Sequence, residues 1–141
     1  MASLTHSNPY VLEMKTVQIA PVRTLMTALK DILLETNIVF SKAYTDKNGN
    51  HVPAGIRIIN MDKSHTILAH LFLDALKFEH FYCKYPKIII GVNMFHLFKL
   101  INTIDNDDTL TIYIEEKDYA DGIVEYLGLK FENGDIKQMK I

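Results

Sequence analysis

Lys87-Ile88-Ile89-Ile90-Gly91-Val92-Asn93-Met94-Phe95-His96-Leu97-Phe98-Lys99-Leu100-Ile101-Asn102-Thr103 is the stretch on which the fold turns. Residues 87–92 are β-branched and almost wholly apolar, which suggests a buried strand. Asn93 follows, and its side-chain oxygen suits the first free N–H groups of a helix. Beyond it Met94, Phe95, Leu97, Phe98, Leu100 and Ile101 are apolar, while His96, Lys99 and Asn102 are polar. The reading is a strand that runs straight into a helix ending near Thr103.

The same order occurs upstream. Residues 10–16 alternate roughly and read as a strand. Pro21 then opens a helix at a position where a missing backbone N–H costs nothing. Val22, Leu25, Met26, Leu29, Ile32 and Leu33 recur at helical spacing, with Arg23, Thr24, Thr27, Lys30 and Asp31 on the other side. Strands are expected at 37–43, 54–60, 65–73 and 77–84 after the first helix, and at 109–115, 123–131 and 135–141 after the second. Asp46-Lys47-Asn48-Gly49-Asn50 marks a hairpin tip within 44–53, and Asn133-Gly134 marks another. Residues 105–108 read as a turn. The pattern predicts two similar halves, 10–76 and 77–141, each a strand, a helix and three strands. Together they form one α+β domain over 10–141, with two helices against antiparallel sheets. Residues 1–9 form a polar leader.

The chain has 141 residues, 48% of them hydrophobic and 23% charged, with a formal net charge of −2. It can bury one core and is too short for two ordinary domains. The charge excludes a protein coated in basic residues, but not a small basic face. Cys83 is the single cysteine, so an internal disulfide and a zinc site are both excluded and a reducing compartment is expected. The start carries no apolar signal segment, and no apolar run reaches a membrane span. Met139 and Ile141 alternate with Lys140 to the last residue, so a natural domain end and a truncation both fit.

Catalytic readings fare badly. His6, His51, His65, His70, His80 and His96 show no metal-ligand spacing such as H-E-x-x-H. His70 and His80 lie on expected strands, where convergence in space is open. Asp105, Asp107 and Asp108 do not complete a calcium-loop pattern and read as a solvated turn. Cys83 has no neighbouring base and reads as a small core side chain. No glycine-rich phosphate loop is present. The chain is expected to be no enzyme and to need no cofactor.

Five local segments, in order, carry a resemblance to a known family. Leu12-Glu13-Met14 through Ala28-Leu29-Lys30-Asp31 is similar to the first strand and helix of DNA sliding clamps of the proliferating cell nuclear antigen type. Asn60-Met61-Asp62-Lys63-Ser64-His65 resembles that family's Met-Asp-Ser-Ser-His segment. Gly91-Val92-Asn93 with the helix after it resembles the entry to its second helix. Asn106-Asp107-Asp108-Thr109-Leu110 resembles the following turn and strand, and Lys137-Gln138-Met139-Lys140-Ile141 the strand that closes the first domain. The 44–53 hairpin is longer than the family's, and the second helix carries less lysine.

The resemblance implies the N-terminal domain of a two-domain subunit in the DNA-clamp fold, acting as a DNA polymerase processivity factor. The full-length protein would be a homotrimeric ring around double-stranded DNA, opened by a separate clamp loader. Its helices would face DNA, with Arg23, Lys30 and Lys99 at the family's basic positions. Met61, His65, Thr66 and Leu68 match a pocket that receives the short motif of DNA polymerases and other clamp-binding proteins. Lys137, Met139 and Ile141 lie on the strand that pairs with the neighbouring subunit; a chain ending at Ile141 would be a monomer or a non-native dimer. The nucleus, or a viral replication site in an infected cell, is the implied location, with no membrane partner. The alternative is a non-clamp protein-interaction module on the same α+β scaffold.

Overall fold

The computed structural model describes residues 9–32, 35–61, 64, 68–105, 107–133 and 135–141. β1 (Tyr10–Thr16) leads into α1 (Ile19–Ile32), then β2 (Glu35–Ser41), a short ribbon of β3 (Tyr44–Thr45) and β4 (His51–Val52), β5 (Gly55–Met61) and β6 (Leu68–Asp74). β7 (His80–Cys83) and β8 (Lys87–Asn93) lead into α2 (Met94–Ile101). β9 (Thr109–Glu115), a second ribbon of β10 (Tyr119–Ala120) and β11 (Ile123–Val124), β12 (Gly128–Asn133) and β13 (Asp135–Lys140) complete the order.

Two antiparallel sheets result, one ordered β13-β12-β9-β1-β7 and the other β6-β5-β2-β8. The strand before α1 pairs with the strand after α2, Leu12 facing Ile114. The strand before α2 pairs with the strand after α1, Ile90 facing Ile38. Each sheet therefore contains a strand from the far side of the sequence.

Burial alternates along β2 and β8, so each sheet has an inner and an outer face. Ile38, Phe40, Ile56, Ile58, Ile88 and Ile90 point inward from one sheet, and Leu12, Met14, Leu110, Leu129 and Phe131 from the other. Ile19, Met26 and Leu29 of α1 and Met94, Leu97 and Ile101 of α2 join the same core. Burying each such side chain contributes roughly 1.5–3 kcal/mol before entropy is counted. Val11 and Leu12 are both fully buried although adjacent, because the register shifts between Tyr10 and Leu12.

The local signals have identifiable structural counterparts. Asp46 Oδ1 accepts hydrogen bonds from the backbone N–H groups of Asn48 and Asn50, each at 2.9 Å, and Gly49 takes a positive φ of 82°. Asn93 Oδ1 accepts from the His96 N–H at 3.1 Å and caps α2.

Several expected boundaries move. α1 opens at Ile19, two residues ahead of Pro21, whose missing N–H still falls in the first turn where no intrahelical acceptor exists. The strand expected over 77–84 shortens to β7, because a 3-10 turn at Ala75–Lys77 precedes it, capped by Asp74 accepting from the Leu76 N–H at 3.0 Å. The single strand expected over 123–131 is β11 plus β12. Asp121 and Gly122 take φ of 52° and 81°, which folds β10 and β11 into the second ribbon. Phe95, expected on the apolar side of α2, is 41% exposed. Six apolar residues out of eight exceed what one face of a helix can bury. Residues 65–67 of the strand expected over 65–73, and Gly134 in the last turn, lie outside the described residues.

A glycine sits beneath an aromatic ring in each sheet. A Cβ on Gly128 would strike the Tyr113 ring, and one on Gly55 would strike the backbone carbonyl oxygen of Leu73 before meeting Phe72 Cε1 at 2.7 Å. Among the described residues no helix is long and apolar enough to cross a membrane.

Candidate functional site

The two helices pack side by side on the sheet layer, and the three expected DNA-facing cations lie on this pair. Arg23 is half-buried. Its guanidinium donates to the carbonyl of Ile104, just past the end of α2. That end of a helix carries partial negative charge and carbonyls without helical donors, so Arg23 ties α1 to the C-terminal end of α2. Lys30 Nζ stands 2.8 Å from Asp31 Oδ1 and 5.0 Å from the centroid of the Phe98 ring, reaching from α1 to α2. Lys99 Nζ lies 4.8 Å from the centroid of the Phe95 ring, one turn back on its own helix. The exposed residues beside them are Thr24, Thr27, Asp31, His96 and Asn102. The surface of the helix pair thus offers three cations to one carboxylate, Asp31, an excess of positive charge suited to phosphate contact without base reading.

Of the expected pocket, Met61 ends β5 and Leu68 opens β6, and the two are paired in register. Their side chains, and His65 and Thr66 altogether, lie outside the described residues.

β13 is the outermost strand of the five-stranded sheet. Lys137 is exposed, Met139 is half-buried against the core, and Ile141 is 41% exposed. Ile141 exchanges two backbone hydrogen bonds with Leu127, each of 2.9 Å, so the pairing of β12 with β13 continues past Lys140. Two features here escaped the sequence. Ile136 is 67% exposed on the outer face of β13, a position that period-two alternation could have separated from Met139. Lys140 Nζ contacts Glu115 Oε2 at 2.6 Å and Asp118 Oδ2 at 2.8 Å, partners 25 and 22 residues away that leave no local signal. Asp118 first, then Glu115, holds the Lys140 ammonium well above the ordinary lysine range. Lys140 in turn holds the Glu115 carboxyl below the usual carboxylate range.

His70 and His80 stand on different sheets, and His80 meets Glu13 Oε1 at 3.0 Å. Among the described residues no three His, Cys, Asp or Glu side chains form a group that could hold a metal. The Asp105 turn closes on itself, Asp108 N–H donating to the Asp105 carbonyl at 3.0 Å and Asp105 N–H to Asp108 Oδ2 at 3.2 Å. Cys83 is buried and donates to the Tyr85 carbonyl at 3.2 Å, and burial pushes its thiol up, the opposite of an activated nucleophile.

Helices on one side, two antiparallel sheets with a crossed-over strand in each, and an outermost closing strand define the fold to be compared. The family model described as "Proliferating cell nuclear antigen, N-terminal domain" matches residues 11–140. The chain belongs to the proliferating cell nuclear antigen family. Relatives of this family point the same way. A protein of Acanthamoeba polyphaga mimivirus named "Probable DNA polymerase sliding clamp" is 30% identical over 97 residues, covering 69% of this chain and 20% of that protein. "Probable DNA polymerase sliding clamp 1" of Paramecium bursaria Chlorella virus 1 is 30% identical over 96 residues, covering 68% and 32%. The crystal structure of the proliferating cellular nuclear antigen of Entamoeba histolytica matches with a TM-score of 0.76 at 23% identity, over 94% of this chain and 46% of that one. That likeness establishes the α+β clamp fold. The chain spans a fifth to a third of the curated relatives it matches, and less than half of the solved chain.

Proposed function

We propose that this chain is the N-terminal domain of a two-domain subunit of a DNA polymerase processivity factor. The subunits close as a homotrimeric ring around duplex DNA and hold polymerases and other motif-bearing proteins beside it. The observation that carries the reading is the helix pair, whose surface holds Arg23, Lys30 and Lys99 against one carboxylate, Asp31. Cations there contact phosphates on any sequence, which is what a sliding protein requires. The sheet order adds support, since β13 leaves backbone groups on its outer edge for a strand of a neighbour. Lys137, Met139 and Ile141 belong to that contact. Met61, His65, Thr66 and Leu68 form part of the partner pocket, which is completed by the rest of the longer protein. The ring performs no chemistry and needs no cofactor: holding a polymerase at its template raises its local concentration. A separate clamp loader opens it, at the nucleus or at a viral replication site.

The test is retention on DNA. Changing Arg23, Lys30 and Lys99 together to alanine in the assembled full-length protein is expected to shorten its residence on circular DNA at low salt. The circular dichroism spectrum stays unchanged. Equal residence of the triple variant and the parent would remove the helix pair as the DNA face.

A further inference from the structure

Among the described residues of the two helices, Phe95 is the only large apolar side chain that stands out in solvent, 41% exposed. It shares an exposed stripe of α2 with Lys99 and Asn102, four and seven positions on. Lys99 Nζ lies 4.8 Å from the centroid of its ring. Phe98, half-buried beside it, holds Lys30 Nζ of α1 at 5.0 Å in the same way. Two rings and two cations are therefore interleaved on the surface read above as facing DNA.

A duplex has no use for a ring at this place. Its base faces are covered by their neighbours in the stack, and its outside offers phosphates, which Arg23, Lys30 and Lys99 meet without help. An unpaired nucleotide differs, because its base has a free face. Rings set among cations are what single-strand binders use, the cations following the backbone and the rings taking the bases. The crowding of apolar residues on α2 explains why Phe95 is left outside, but not why the position holds a ring, where a polar side chain is the ordinary occupant. His96, exposed next to it in sequence, brings ring nitrogens that hydrogen-bond to a base edge.

We infer that Phe95, with Lys99 and Lys30, forms a site for single-stranded DNA. An unpaired base stacks on the Phe95 ring while the two ammonium groups contact the neighbouring phosphates. The inference rests on the reading of the helix pair as a DNA face and adds to it a preference for unpaired nucleotides. Along continuous duplex the ring contributes nothing. Where duplex gives way to single strand it finds a free base, so a ring of such subunits dwells at that junction longer than its charges alone dictate.

The 141-residue chain is titrated at low salt with a short oligothymidine strand and, separately, with a blunt GC-rich duplex of equal phosphate count, followed by the NMR amide signals of α1 and α2. The single strand is expected to bind at least about fivefold more tightly than the duplex and to move the signals of Phe95, His96 and Lys99. Phe95→Ala is expected to remove that advantage and Phe95→Tyr to keep it. Lys99→Gln weakens binding of both forms and flattens its salt dependence. Ile123→Ser, an exposed position on the second ribbon, leaves both affinities as they were. Equal binding of the two forms to the unaltered chain overturns the inference and leaves the helix pair as the DNA face. A single-strand advantage that survives Phe95→Ala does the same. If neither form moves a signal of either helix, the inference and the reading of the helix pair as the DNA face fall together.

Discussion

Along the outer face of the five-stranded sheet, polar side chains answer one another: Glu13 meets His80 at 3.0 Å, Lys130 meets Glu132 at 3.8 Å, and Lys140 meets Glu115 at 2.6 Å. Along the outer face of the four-stranded sheet, Val39, Ile59 and Ile89 stand among the polar Glu35, Asn37 and His70, and the nearby cations Arg57 and Lys87 have no ion pair among the described residues. Both sheets give the same kind of apolar inner face to one core. The inner faces are dictated by packing and therefore converge; the outer faces are free to differ, and their difference records what each one meets. A face of paired charges is complete in water. A face of isoleucines beside unpaired cations is not.

The comparison can be broken most forcefully at the glycines that each sheet hides beneath a ring. Gly128→Ala drives a methyl group into Tyr113, and overpacking of this kind costs about 1–3 kcal/mol, readable in a urea titration. Gly55→Ala is expected to cost at least as much, because its methyl group meets the Leu73 backbone carbonyl as well as Phe72. A negligible cost at Gly55 alone would mean that the β6 backbone gives way at Leu73, and the four-stranded sheet would then be soft where its counterpart is rigid.

Lys140→Met tests the paired face more gently, through pH. The Glu115 carboxyl is held low, so its contribution is present above the ordinary carboxylate range and is lost as pH falls through the lowered value. Lys140 is held high, so its contribution is present below the ordinary lysine value and is lost only at more alkaline pH. The variant should therefore unfold at lower urea than the parent at neutral pH, with the gap closing in strong acid. A gap independent of pH would show that packing of the lysine stem, not the bridge, is responsible.

Glu13→Gln is expected to cost less than about 1 kcal/mol, as an exposed pair should. The smallest effect belongs to the other sheet. Ile89→Thr, at a half-exposed position, should change stability by no more than about 0.5 kcal/mol. A larger loss would mean that the face is already covered in solution, and the contrast between the two sheets would disappear.

Features held by near neighbours were legible in the sequence. The Asp46 turn uses residues two and four positions away, and the Asn93 cap reaches His96, so composition and spacing were enough. The Asp121-Gly122 turn carries an equally local signal, and reading 123–131 as one strand passes over it. Helical spacing put Arg23 and Lys30 opposite the main apolar stripe. It did not give their half-burial, because the Ile104 carbonyl and the Phe98 ring come from the other end of the fold. The Lys140 bridge and the apolar outer face were illegible for the same reason. Both depend on which strands become neighbours, and alternation within a strand does not say which of its faces will be left uncovered.

The crossing of strands between the two sheets sets the schedule on which the protein can be made. β1 leaves the ribosome well before its neighbours on either side, β7 and β9. Until Thr109–Glu115 emerges, Val11, Leu12 and Met14 have no complete sheet to enter and remain in water or in the grip of a chaperone. β1 thus waits longest for its neighbours, although in the finished protein it is among the most deeply buried strands.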